Sequence, residues 1–293
     1  MNIVTISAKA LFHFTGRGEK EVLKKILSNG FRPSYCKEFG ECTGGRITES
    51  QIPMVCFCDI PLSSIRSHML GHSWEHNGEK VEAEGYGSYG LGMTKEWGKA
   101  NGLNPVLYFH YDDNSTYIKS MVDAQSILYD FFRLYDPLVK QSFSKYPLIS
   151  QLPNHTREIL NMYFAMKRVM ERVQNCFSYN KPYEDKRDGR LYYNEREWRF
   201  TIPYDQATNY EIPVIFPSLY PELLEKKHEL MKLIEEKYML KFTPHDIKYI
   251  IVKDENDIED IIEYMRSTGK YSEDQIKMLY PRIITNRQIL EDF

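Results

Sequence analysis

The chain has 293 residues, a formal net charge of -3 and a pI near 6.3. That length can bury one large core or two modest ones, and the charge excludes a protein that holds nucleic acid by bulk electrostatics alone. Five cysteines, an odd number with Cys56 and Cys58 one residue apart, exclude a secreted disulfide framework and point to a reducing cytoplasm. The opening MNIVTISAKALFHF lacks a signal-peptide pattern, and no window approaches the roughly 18 apolar residues of a membrane span, so no membrane is expected.

Three blocks follow in chain order. In the first, to about Asp113, ALFHFT predicts a strand. GEKEVLKKILSNGF predicts a helix with Val22, Leu23, Ile26 and Leu27 on one face and Gly30 as its stop. PMVCFCDIP predicts a strand bounded by Pro53 and Pro61, with a short helix from Ser63 to Leu70 behind it. The stretch from Gly71 to Gly90 predicts a polar, glycine-hinged loop, suited to a lid or a recognition segment. A strand near Leu91, a helical turn in TKEWGKANG and a strand in PVLYFHY complete the block. The second block, residues 115–177, has helical spacing broken at Pro137 and around Pro147 to Pro153. It predicts a helical insertion of two or three helices that contacts a partner, forms an oligomer interface or, by default, roofs the core. The third block returns to strands at Tyr192 to Ile202 and near EIPVIF, then a helix from Pro221 to Lys237. The strand DIKYIIV, the helix ENDIEDIIEYMRS and a strand near RIITN follow. This mixed order predicts an α+β fold in a single domain spanning 1–293, with 204–293 as a C-terminal α/β extension.

The densest chemistry lies in YYNEREWRF, Tyr192 to Phe200. A period of two puts Tyr193, Glu195, Glu197 and Arg199 on one side and Tyr192, Arg196, Trp198 and Phe200 on the other. Trp198 and Phe200 suit a core, which turns both carboxylates toward a cleft or solvent. Carboxylates one pleat apart repel, and acid, base or sugar-binding sites are often built that way. The plain alternative is an edge strand carrying charges against aggregation.

His13 lies inside the first apolar strand with Thr15 two residues on. A lone histidine there is ordinarily a satisfied core residue, but the strand carrying His then Thr, the helix ending IL..GF and the late Glu-x-Glu strand together resemble the ADP-ribosyltransferase superfamily, particularly the DarT toxins. The stretches IPMVCFCDIPLS, YGSYGLGMTKEWG, NPVLYF and EREWRF resemble the AbiGi family of abortive phage resistance proteins, over most of residues 10–203. The first resemblance implies an ADP-ribosyltransferase-like split mixed sheet and NAD as substrate, with no metal. It implies Glu197 as the catalytic carboxylate beside the ribose, Glu195 as the residue that orients or deprotonates the acceptor, and His13, with Thr15 beside it, on the adenosine-side ribose. A tyrosine stacked on nicotinamide is then expected, with Tyr86 or Tyr89 as candidates beside Gly85, Gly87 and Gly90, although each also suits a packed loop aromatic. No clear Ser-Thr-Ser second motif is present.

Arg196 and Arg199 suit the NAD pyrophosphate or a nucleic-acid phosphate, or ordinary ion pairs with the glutamates. Asp59 suits either a cleft or the cap of the following turn. Cys36, Cys42, Cys56, Cys58, His68, His72 and His76 lack the Cys-x-x-Cys spacing of a zinc site. Two functions are expected from the resemblances. One is an ADP-ribosyltransferase-like toxin or effector of antiphage defence, acting on a nucleic-acid or protein acceptor. The other is a non-catalytic AbiGi-type antitoxin that binds and restrains a cognate toxin.

Overall fold

The computed structural model describes residues 7–16, 20–42, 46–110, 115–145, 152–185, 187–203, 212–218 and 221–292. The elements run β1 (Ala10–Phe14), α1 (Lys20–Asn29), β2 (Ser34–Cys42), β3 (Arg46–Cys58), α2 (Arg66–Leu70), β4 (Gly71–His76), β5 (Glu79–Glu84) and β6 (Gly90–Thr94). Next come α3 (Lys95–Ala100), β7 (Asn104–Pro105), β8 (Leu107–Phe109), α4 (Thr116–Lys145), α5 (Asn154–Phe177), β9 (Asn180–Pro182) and β10 (Glu197–Thr201). The chain ends with α6 (Glu222–Glu225), α7 (Lys227–Lys237), β11 (Ile247–Val252), α8 (Asn256–Ser267), α9 (Glu273–Leu279), β12 (Ile283–Thr285) and α10 (Asn286–Asp292).

The fold is α+β around one mixed sheet in the order β12-β11-β6-β1-β3-β10-β7, with β2 paired to β3. Its pairs are antiparallel except β11 with β12. The C-terminal segment therefore supplies β11 and β12 to the same sheet as β1. Register defines the two faces, because directly opposed residues point the same way. Leu11, His13, Val55, Phe57, Leu91 and Met93 share one face, where α1, α3, α8 and α9 pack their apolar sides to form the main core. Phe12 points the other way into a smaller cluster with Ile65, Met69, Ile251 and Ile289.

Helix α1 buries Leu23, Ile26 and Leu27 and stops at Gly30, whose φ of 90° is costly for any residue with a Cβ. Its last turn carries no cation of its own. The final carbonyls instead accept from Tyr271 Oη at Leu27, Lys270 Nζ at Ser28 and Lys241 Nζ at Asn29, so distant positive charge meets the negative helix end. On the other face, Phe12 and Tyr249 stack across Gly92 with ring centroids 5.8 Å apart. A Cβ on Gly92 would lie 2.8 Å from Phe12 Cε1 and 3.1 Å from Tyr249 Cβ. Gly92→Val is accordingly expected to lower stability by about 1–3 kcal/mol, the usual cost of overpacking. An unchanged thermal midpoint would contradict this packing.

Several local expectations are corrected. Pro53 does not bound a strand but lies within β3, where its carbonyl still accepts from Ile202 N, and β2 pairs along β3 as a long hairpin partner. The segment after Gly71 is a β4–β5 hairpin rather than a loop, closed by Asn77 and Gly78 at φ of 52° and 79°, the left-handed pair favoured in two-residue turns. Among the described residues of EIPVIF, strand pairing is limited to the isolated bridge of Ile215 to Gln51.

Pro137 does not break α4, because it sits on the exposed side where the unpaired carbonyl can meet water. The break expected around Pro147 falls largely on residues 146–151, outside the described residues. Nor does the insertion roof the sheet. Its cluster of Phe132, Val139, Leu152, Leu160 and Tyr163, with partly buried neighbours from Phe131 to Met170, contains hairpin residues alone among the described residues. It is an arm with its own small core.

Candidate functional site

The carboxylate segment is two pieces, not one strand. Tyr192–Glu195 forms a 3-10 turn and Arg196 is left-handed at φ 43° and ψ 52°, so regular alternation begins only at Glu197. Two backbone bonds hold the kink, Arg196 N to Tyr193 O and Asp59 N to Arg196 O. Within β10, Trp198 and Phe200 pack against the main core as expected. Glu197 and Arg199 share the opposite face, but they are not in open solvent, being 5% and 0% exposed.

A row of side chains across the sheet explains their setting. Phe12, Cys58 and Glu197 are register partners on β1, β3 and β10, and Cys56 opposes Arg199. The β2–β3 hairpin brings Glu38 to Arg199 although its own register partner is Ser50, six residues along β3 from Cys56. From the other side, α5 ends at Ser178 and the chain enters β9, whose parallel pairing with β8 sets Lys181 beside Tyr108. Tyr108 Oη accepts from Glu197 N at 2.8 Å, fixing the start of β10.

The result is a closed ionic network. Lys181 Nζ donates to Glu195 Oε2 and Glu197 Oε2, each at 2.6 Å, and lies 4.9 Å from the Tyr192 ring centroid. Arg199 donates from Nε to Glu197 Oε1 at 2.8 Å, from Nη1 to the Ser178 carbonyl at 2.9 Å and from Nη2 to Glu38 Oε1 at 3.2 Å. Both oxygens of Glu197 are therefore held by cations. Burial pushes the Glu197 carboxyl up, but Arg199 and Lys181 outweigh it and bring it down to about 2. Burial also works against the charge of Lys181, yet Glu197, Glu195 and Glu38 raise it well above its ordinary value. Glu38 is raised, because its burial outweighs the pull of Arg199 and Lys181. Burial pushes the Cys58 thiol up beside these carboxylates.

The structure brings one aromatic candidate to this network. Tyr86 Oη donates to Glu195 Oε1 at 3.3 Å, and its ring stacks on His68 at 6.5 Å. His68 is lowered by burial, against the opposing pull of Glu195. The other candidates lie elsewhere. His13 is on the main-core face, opposite to Glu197, packed between Phe31 and Phe57. Its Nδ1 donates to the Cys56 carbonyl at 2.8 Å, and burial lowers its pKa. Thr15 donates from N and Oγ1 to the Tyr89 carbonyl. Tyr89 itself is buried and donates to Asp257, which also takes Lys20. The expected close approach at Gly85 is made by the chain's own backbone, since a Cβ there would meet the Met69 carbonyl at 2.0 Å.

Asp59 neither lines a cleft nor caps a turn. It accepts from Ser7 Oγ, Ala8 N and Lys95 Nζ at 2.8, 2.8 and 2.7 Å, tying the entry of β1 to α3. The β4–β5 hairpin is docked by Trp74 Nε1 to the Asp188 carbonyl. Among the described residues, no group of three or more His, Cys, Asp or Glu side chains is arranged to hold a metal ion. No helix among them is long and apolar enough to cross a membrane. Sequence reasoning missed Lys181 and Glu38, the partners that complete the network. Lys181 sits in a three-residue strand with no periodicity, and Glu38 belongs to the unrecognised β2.

Comparison with known proteins gives a consistent answer. A family model described as "Putative abortive phage resistance protein AbiGi, antitoxin" matches residues 29–253, a span that includes the whole network and the arm. The "Abortive phage resistance protein AbiGi" of Lactococcus lactis subsp. cremoris is 27% identical over 253 residues, covering 84% of this chain and 91% of that protein. No solved structure matches. These findings give the ADP-ribosyltransferase likeness no support, whereas the family match extends over most of the sheet. The chain belongs to the AbiGi family of abortive phage resistance proteins.

Proposed function

We propose that this chain is a non-catalytic antitoxin that binds a partner protein and restrains it. The observation that carries the reading is the engagement of Glu197, whose two oxygens are both taken by cations inside the fold. A carboxylate that stabilises an oxocarbenium-like ribose must present an oxygen to the substrate. Here Arg199 and Lys181 occupy those positions, and His13 lies across the sheet. The Glu195 and Glu197 pair is better suited to organising β10, β9 and the base of the arm than to NAD cleavage. The family's description as an antitoxin supports the same reading.

The cognate toxin of such a pair is sought in the product of the adjacent gene, and the test is growth of bacteria expressing that product with and without this chain. Growth arrest by that product alone, relieved when this chain is co-expressed, is expected. Arrest that persists with folded chain present in excess would remove the antitoxin reading. Nicotinamide release from NAD by the purified chain would restore the enzymatic one.

A further inference from the structure

We infer that the α4–α5 arm is the surface that grips the partner, and that it takes a protein face with an apolar centre and an acidic rim. This rests on the antitoxin reading above. Ile127, Leu134 and Leu138 are 66%, 63% and 54% exposed on α4. Their spacing of i, i+7 and i+11 places them within about 40° of one line along the helix, a ridge about 16 Å long. On α5, Ile159, Met162 and Val169 are exposed as well. Scattered surface leucines need no explanation, but an aligned ridge on a projecting element marks an interaction site. The arm already has its own buried cluster, so the ridge is surplus to holding the two helices together.

Charge identifies the occupant. Arg133 is paired with Asp130 at 3.4 Å, and beyond that pair Lys119, Lys140, Lys145, Arg168 and Arg172 are exposed on the arm, against Asp123 and Glu158. Asp136 is bonded to Tyr163 and Glu171 is buried, so these two acids add little to the outer surface. The arm is thus basic on a chain that carries more acids than bases overall. Two copies meeting arm to arm would bring like charges together, whereas an acidic rim complements them. The exposed ridge side chains among the described residues, Ile127, Leu134 and Leu138, are aliphatic, which favours a protein over a single-stranded nucleic acid.

The experiment is calorimetric titration of the purified adjacent-gene product with the parent chain, a Leu134→Asp/Leu138→Asp variant and an Arg168→Glu/Arg172→Glu variant. Circular dichroism establishes that each variant is folded; all the substituted side chains are exposed. The ridge variant is expected to bind about 100-fold more weakly, as for residues central to an interface. The charge variant is expected to lose about tenfold and to show a shallower salt dependence. Parental affinity in the ridge variant, with the parent chain binding, would overturn the assignment of the surface and leave the antitoxin reading standing. No binding by the parent would bring down that reading and this one together. Two further outcomes overturn the inference: a dimer in light scattering that the ridge variant dissolves, or retention of mixed-sequence DNA or RNA by the parent in place of the protein.

Discussion

Lys181→Met is expected to cost about 3–5 kcal/mol of folding stability, the range for removing one member of a buried charge cluster. The lysine bridges Glu195 and Glu197, lying 2.6 Å from each. Without it, the buried Glu197 keeps Arg199 and the part-buried Glu195 keeps the Tyr86 hydroxyl, so the two carboxylates face each other with the bridging cation gone. A domain of ordinary stability has about 5–15 kcal/mol in total, so the variant approaches the threshold of folding. Adding Glu195→Gln removes one of the stranded charges, and the double variant is expected to recover part of the loss. Urea unfolding of the parent, both single variants and the double variant measures the coupling directly. A loss below about 1 kcal/mol in the lysine variant would place it with exposed surface pairs and contradict the closed network.

The second large effect is on acid stability. The Glu197 carboxyl is near 4.5 when unfolded and is held at about 2 in the fold, with burial opposing and Arg199 and Lys181 prevailing. A depressed folded pKa gives stability that is fully present above the unfolded value and is lost as pH falls through the folded one. Glu197 is thus expected to contribute about 3 kcal/mol that disappears between about pH 4.5 and 2. Glu38 has the opposite sign. Its folded pKa is raised by burial, so its contribution is present below the unfolded value and is lost as pH rises through the folded one. Glu197→Gln should flatten the acid limb of a stability-versus-pH profile, and Glu38→Gln should steepen it. Identical acid limbs in parent and Glu197→Gln would show that Lys181 and Arg199 do not stabilise the ionised carboxylate.

How much of this was legible in the sequence depends on whether a feature is local. Periodicity located α1 and α8, whose single apolar face meets the main core, whereas β1 and β11 show as short apolar runs buried on both faces of the sheet. The β4–β5 hairpin was signalled by Asn77-Gly78 and obscured by the glycines and acids around it. Pro53 masked the length of β3, since a proline can sit within a strand when its carbonyl remains paired. Glu195, Glu197 and Tyr86 stand out in the sequence as candidates, and the structure places their side chains in one network. Their partners do not stand out, because Lys181 and Glu38 arrive from segments whose pairing depends on tertiary structure. Likewise, the left-handed Arg196 has no residue-type signature, so a uniform strand was the natural expectation. His13 shows the limit of a short resemblance: the strand is there, but its register turns the imidazole to the other side of the sheet.

Stoichiometric restraint without turnover is tested by titrating the adjacent-gene product with this chain while measuring the product's own activity. A linear fall is expected that ends at a fixed molar ratio close to one chain per partner, with activity restored when the complex is dissociated. Complete, lasting inactivation by a small molar fraction of this chain would contradict it, because only a catalyst acts beyond its own number.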